Sequence, residues 1–137
     1  MSARTKARKR ALDILFAADV RHASVADILV DEAARAASEP DRQASWLYAR
    51  EIVDGYIDHQ DEIDETISSY ARGWTLERMP AVDRAILRVA IWELQYSQNV
   101  PAAVVVSEAV ALATELGSDD SPRFINGLLG AVSGTIS

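Results

Sequence analysis

The segment from Ala81 to about Ser97 constrains the fold more than any other: Val82, Ala85, Ile86, Leu87, Val89, Ala90, Ile91, Trp92 and Leu94 leave it apolar on nearly every side of a helix. A helix that is apolar all round is stable only when surrounded, so this one is expected to be central and buried. Its polar side chains Asp83, Arg84, Arg88 and Gln95 fall in one arc that also holds Leu87 and Ile91. That mixed stripe predicts a solvated face or a docking face, and it leaves self-association open.

Helical periodicity runs through nearly all the rest, and no segment reads convincingly as a strand. A first helix is expected from roughly the second half of a basic segment, residues 1–10, to Arg21, with Leu12, Leu15 and Phe16 inward. His22-Ala23-Ser24 interrupts it. Ser24 followed by Asp27 resembles a capping arrangement for a second helix ending near Ala37. A third, from about Arg42, places Trp46, Ala49, Val53, Tyr56 and Ile57 on one side. A fourth, Asp61 to about Arg72, carries Ile63, Ile67 and Tyr70, with acidic residues in its first turn to suit the macrodipole. Residues 74–79 look irregular, and Pro80 sits near the start of the central helix. Asn99-Val100-Pro101 joins it to a sixth helix closed by Gly117. Ser121-Pro122 reads as N-cap plus first turn of a last helix bearing Phe124, Ile125, Leu128, Leu129 and Val132. The expected class is all-α, a single-domain bundle of about seven helices. With 137 residues, of which 49% are apolar, there is material for one core and too little for two.

Charge is divided unevenly. Arg4, Lys6, Arg8, Lys9 and Arg10 lie in a first decade without any acid, whereas the remaining 127 residues carry nine arginines and 21 carboxylates. A body this acidic repels polyanions, so affinity for nucleic acid must be confined to the basic segment. Arg4 and Arg8 are four apart, as are Lys6 and Arg10. Like charges at that spacing each cost a helix about 0.2–0.5 kcal/mol, so the tail should fray without an anion. It is either a solubilising terminus or an arginine-rich segment that orders on RNA.

Other chemistry finds little support. There is no cysteine, so disulfides and thiolate metal sites are excluded. His22 and His59 lack a companion at ligand spacing, so no metal is expected. No phosphate loop, nucleophile elbow or dinucleotide fingerprint is present, and the acidic run Asp58 to Glu65 reads as a solvated helix face. No enzyme activity and no cofactor are expected. Asp13 and Asp19 interrupt the apolar run Ile14 to Ala18, so neither a secretory h-region nor a membrane span is predicted, and the expected compartment is the cytoplasm.

The second half of the chain carries a resemblance. Ala85-Ile86-Leu87-Arg88-Val89-Ala90-Ile91-Trp92-Glu93-Leu94, Val100-Pro101, Ser107-Glu108-Ala109 with Gly117, and Ser121-Pro122-Arg123-Phe124-Ile125-Asn126-Gly127 strongly resemble the NusB family. Ser107 departs from the asparagine common there, and Pro122 from a polar residue. The resemblance implies an all-helical fold and a non-enzymatic role in antitermination, chiefly of ribosomal RNA operons. It implies binding to single-stranded boxA RNA together with the ribosomal protein NusE, alongside other Nus factors and RNA polymerase. The implied RNA-binding residues are Arg4, Lys6, Arg8, Lys9 and Arg10, with Arg123 and Phe124. Phe124 is expected to stack a base or to pack on the first helix. Asp119 and Asp120 would repel phosphate, and Asp120 is expected to tune RNA affinity downward. The implied NusE surface comprises Phe16, Tyr70, Glu77 and Asp83, an acidic face suited to a basic ribosomal protein.

Two alternatives stand beside this one. NusB-like domains also occur in certain ribosomal RNA methyltransferases, but 137 residues leave no room for a catalytic domain unless the chain is a fragment. The other alternative is an acidic helical scaffold or homodimer that does not bind RNA.

Overall fold

The structure is a computed structural model that describes the backbone of residues 2–136 and the side chains of residues 2–134. Among them it shows seven α-helices and no strand: α1 (Ala3–Arg21), α2 (Val25–Ala36), α3 (Gln43–Asp58), α4 (Gln60–Tyr70), α5 (Ala81–Tyr96), α6 (Ala102–Leu116) and α7 (Ser121–Ile136). Short 3-10 turns at Pro40–Arg42 and Leu76–Arg78 lead into α3 and towards α5.

Local chemistry accounts for most boundaries. Ser24 Oγ accepts the Asp27 N–H at 3.3 Å and starts α2 as its sequence promised. His22 ends α1 in the left-handed region, φ 54°, its N–H returned to the Ala18 and Asp19 carbonyls. Gly117 does close α6, but in an extended conformation, φ −91° and ψ −172°. Glycine is needed there for space, since a Cβ would stand 2.6 Å from Ser121 Oγ and 2.9 Å from the Ala113 carbonyl oxygen.

Three sequence expectations are corrected. The basic segment is not frayed: α1 begins at Ala3, capped by Ser2 Oγ, which accepts the Thr5 N–H at 3.0 Å. Ser121 is not an N-cap. Its hydroxyl accepts the Ser118 N–H at 3.0 Å and donates to Asp83 Oδ1 at 2.7 Å, while the Asp120 carbonyl takes the Phe124 N–H. The mixed stripe of α5 is not an outer face at its centre, because Asp83, Leu87, Arg88 and Ile91 are buried; Arg84 is partly exposed and Gln95 alone is exposed.

Helix α5 is the axis of the bundle, packing against α1, α3, α4, α6 and α7. Every residue from Ala85 to Trp92 is buried, Arg88 included, and so is Glu93. Charges on a buried helix persist only when paired. Arg88 donates to both oxygens of Asp64, at 3.0 and 3.1 Å, and to Asp19 at 3.0 Å. Arg84 shares Asp19 at 2.9 Å and holds the Leu76 and Met79 carbonyls at 2.8 and 3.0 Å, which fixes the irregular segment before α5. Burial opposes the Arg88 cation, but the hydrogen bond to Asp64 and the neighbouring Tyr56, Asp64 and Asp19 outweigh it and raise its pKa.

Candidate nucleic-acid interface

The basic start of α1 is sorted by helical position into an anchor and an exposed set. Arg8 points inward: Nε donates to Glu93 Oε1 at 2.6 Å, Nη2 to Glu93 Oε2 at 3.0 Å and Nη1 to Glu108 Oε1 at 2.9 Å. Tyr48 donates to the same Glu93 at 2.6 Å, and Thr5 to the same Glu108 at 2.5 Å. These carboxylates offset the like-charge penalty between Arg4 and Arg8. Burial disfavours the Arg8 cation, but the hydrogen bond and charge of Glu93, with Glu108, raise its pKa above the ordinary guanidinium value. Burial, then the Glu93 hydrogen bond and charge, push the Tyr48 phenol up to about 12.

The other four cations face outward to different degrees. Arg4 lies over the Tyr48 ring, 4.7 Å from its centre. Lys6 is exposed and, among the described residues, makes no ion pair. Lys9 reaches Glu115 at 2.7 Å, both side chains substantially exposed. Arg10 lies over the Trp46 ring at 5.5 Å, and its Nη1 donates to Ser45 Oγ at 3.1 Å and to the Arg42 carbonyl at 3.4 Å. Lys6, Lys9 and Arg10 border a groove of about 480 Å³ between α1 and the start of α3, whose far side carries Arg42.

Arg123 and Phe124 occupy a second site. Arg123 is exposed, and Phe124 is half-buried with its ring edge-on to Trp74 at 5.1 Å. Phe124 therefore has an aromatic neighbour in the α4–α5 connection, and it borders an open groove with Tyr70, Arg72 and Arg123. The two basic sites lie towards opposite ends of α5, since Arg8 meets Glu93 and Ser121 meets Asp83, ten residues or about 15 Å of helix apart. The α6–α7 junction lies between them, with Glu115, Asp119 and Asp120 exposed along it.

The residues expected to meet a protein partner do not form one set. Glu77 is exposed on its 3-10 turn, and Tyr70 and Phe16 are partly buried against the core. Asp83 is only 2% exposed and is spoken for by Ser121. Its carboxylate cannot meet a partner without unpacking the start of α7. Burial raises its pKa above the ordinary value, against the lowering effect of the Ser121 hydrogen bond.

Sequence reasoning missed Glu93, Glu108 and Tyr48, the groups that hold the basic helix in place. Glu93 did carry a signal, because a lone carboxylate within Ile91-Trp92-Glu93-Leu94 must find a cation if that helix is buried. Among the described residues no cluster of three or more candidate ligands could hold a metal ion, and no helix is long and apolar enough to cross a membrane.

Comparison with known proteins places this arrangement. The transcription antitermination protein NusB of Leifsonia xyli subsp. xyli is 66% identical over 133 residues, covering 97% of this chain and 92% of the relative. Its counterpart from Clavibacter sepedonicus is 59% identical, covering 97% of each. Among solved structures, T. maritima NusB superposes with a TM-score of 0.80 at 27% identity, covering 96% of this chain and 90% of that one. A complex of antitermination factors NusB and NusE with double-stranded RNA shares the fold, with a TM-score of 0.83 at 24% identity over 98% of each chain. The NusB family model itself matches residues 5–134, a span that takes in the anchored basic helix, the buried α5 and the Arg123-Phe124 turn, and the chain belongs to the NusB family of transcription antitermination proteins.

Proposed function

We propose that this antitermination factor binds the single-stranded boxA element of nascent ribosomal RNA transcripts together with NusE, and that it joins other Nus factors at RNA polymerase, in the cytoplasm. It contributes contacts and no catalysis. The observation that carries the reading is the sorting of α1: Arg8 is held by Glu93 and Glu108, and this presents Lys6, Lys9 and Arg10 outward on an ordered helix. Cations fixed on a helix meet phosphates without first ordering a tail. Arg4, over Tyr48, stands at the edge of the same surface.

Phosphate contacts give affinity but carry no sequence information, so preference for boxA requires base contacts. Phe124 is suited to that role by its partial exposure, with Trp74 supporting it edge-on and Arg123 beside it for phosphate. A stacked base is worth about 1–3 kcal/mol. For NusE, exposed Glu77 and partly exposed Tyr70 and Phe16 remain the proposed contacts. Asp83 acts there only by holding the start of α7.

The test is binding of boxA-like and scrambled single-stranded RNA over a salt series, with and without NusE. Deleting residues 1–10 would also remove Arg8 and unseat Glu93, so the informative variant is Lys6→Ala/Lys9→Ala/Arg10→Ala. With three phosphate contacts, log affinity should fall with log salt at a slope near about −2, and the triple variant should lose most of it. Absence of boxA preference, or an unchanged slope in the variant, would leave an acidic helical interaction module that does not read RNA.

A further inference from the structure

We propose that the groove between α1 and the start of α3 seats the RNA backbone, and that Arg42, outside the basic segment, is a fourth phosphate-binding cation of this surface. The inference rests on the RNA-binding reading above and assigns the path of the strand. Four cations, Lys6, Lys9, Arg10 and Arg42, border one groove whose carboxylates are Asp13 and Asp41. Its volume, about 480 Å³, lies within the range of about 300–1,000 Å³ typical of ligand sites.

The cations are placed there by structure rather than by chance of exposure. Arg10 is fixed by the Trp46 ring, by Ser45 Oγ and by the backbone carbonyl of Arg42 itself. Its Nη1 takes up both hydrogen bonds, so Nε and Nη2 keep donors for a phosphate. Arg42 has one weak counterion, Glu39 at 3.6 Å, and its side chain is 71% exposed. Against these four cations the groove sets two carboxylates, Asp13 and Asp41, with Lys9 also paired to Glu115 outside it, so its lining is cationic on balance and favours an anion. The first turn of α3 opens beside them without a side-chain cap, and the positive end of that helix adds to the attraction.

The alternative route for a strand leaving Lys9 runs over the α6–α7 junction, past Glu115, Asp119 and Asp120. Those three carboxylates repel phosphate, so the backbone is drawn to the α3 side. Bases reach the Phe124 site only where the strand crosses that acidic edge.

The experiment compares Arg42→Ala with Arg50→Ala, which removes the same charge from an exposed position of α3 outside the groove. The two RNAs above are titrated over salt with wild type, both variants and Lys6→Ala, and thermal unfolding checks that each variant is folded. Loss of one phosphate contact on a single strand should flatten the slope by about 0.7, which is about a three- to five-fold loss of affinity near 0.15 M salt. Arg42→Ala should show that loss equally on boxA and scrambled RNA, and Arg50→Ala should keep the wild-type slope. If Arg42→Ala behaves as Arg50→Ala does while Lys6→Ala weakens binding, the groove assignment falls and the RNA reading stands. A loss confined to boxA would overturn the backbone assignment, and wild type that binds neither RNA would overturn both proposals.

Discussion

Arg8 and Glu93 form a two-pronged ion pair, Nε to Oε1 at 2.6 Å and Nη2 to Oε2 at 3.0 Å, with side chains 4% and 1% exposed. It joins the second turn of α1 to the last turn of α5. Geometry this close, with Tyr48 adding a third hydrogen bond to Glu93, is what allows two charges to remain buried. Arg8 therefore differs in role from Lys6, Lys9 and Arg10, although Arg10 has the same side chain.

Removing Arg8 should cost fold stability and not only a surface charge. Arg8→Ala leaves Glu93 buried without its cation, and breaking such a pair costs about 3–5 kcal/mol. Chemical denaturation should show that loss, whereas Lys6→Ala should fall within about 0.5 kcal/mol of wild type. The double variant Arg8→Met/Glu93→Gln should recover a large part of it, since the fully buried charge is gone and Glu108, which also loses its cation, is 23% exposed to water.

Asp83 should make the protein less stable as pH rises. Its pKa in the folded protein is raised above the ordinary 3.8, so between those two values the native state binds the proton more than the unfolded chain does. Stability from this group is then greatest below the ordinary value and falls as pH rises through the folded one. Asp83→Asn keeps an acceptor for the Ser121 hydroxyl and never ionises. Its unfolding midpoint should exceed that of wild type at neutral pH, and the difference should shrink towards pH 4; a constant difference across that range would contradict the assignment.

Gly55 should tolerate no side chain. A Cβ on it would run into the indole of Trp92, which is only 6% exposed and is wedged between α3 and α5. Overpacking of this kind costs about 1–3 kcal/mol. Gly55→Ala should lower the unfolding midpoint and shift the tryptophan emission, and an unperturbed spectrum would show that the ring has room to move.

Asp120 should weaken RNA binding modestly. It is exposed at the start of α7, and its structural contribution is the backbone carbonyl that receives the Phe124 N–H, which substitution leaves in place. A carboxylate some 8 Å from a phosphate in water costs about 0.5 kcal/mol. Asp120→Asn should therefore tighten boxA binding about two-fold at low salt, with a smaller gain at high salt. An unchanged affinity would reduce Asp120 to a helix-start charge.

The helices were legible because their apolar positions recur at helical spacing, and the nearly all-apolar run of α5 marks it as the central element from sequence alone. The basic segment was legible as a unit but not in its parts. Counting like charges four apart predicted fraying, because the opposing carboxylates, Glu93 and Glu108, lie on helices that no local pattern connects to residue 8. The same blindness turned Arg84 and Arg88 into a possible outer stripe. Their partners Asp19 and Asp64 come from α1 and α4, and only the packing brings them together. Asp83 was placed on the partner surface by the family resemblance, which carries a position over without its burial, and here that carboxylate faces Ser121 of another helix.

The carboxylates that hold Arg8 lie 85 and 100 residues further along the chain. During synthesis the cationic first turns are made long before either carboxylate, and until then Arg8 has neither of its two acidic partners. The basic residues are thus made well before the carboxylates that anchor them, and the Arg8 anchor is complete only once α5 and α6 have been translated and docked.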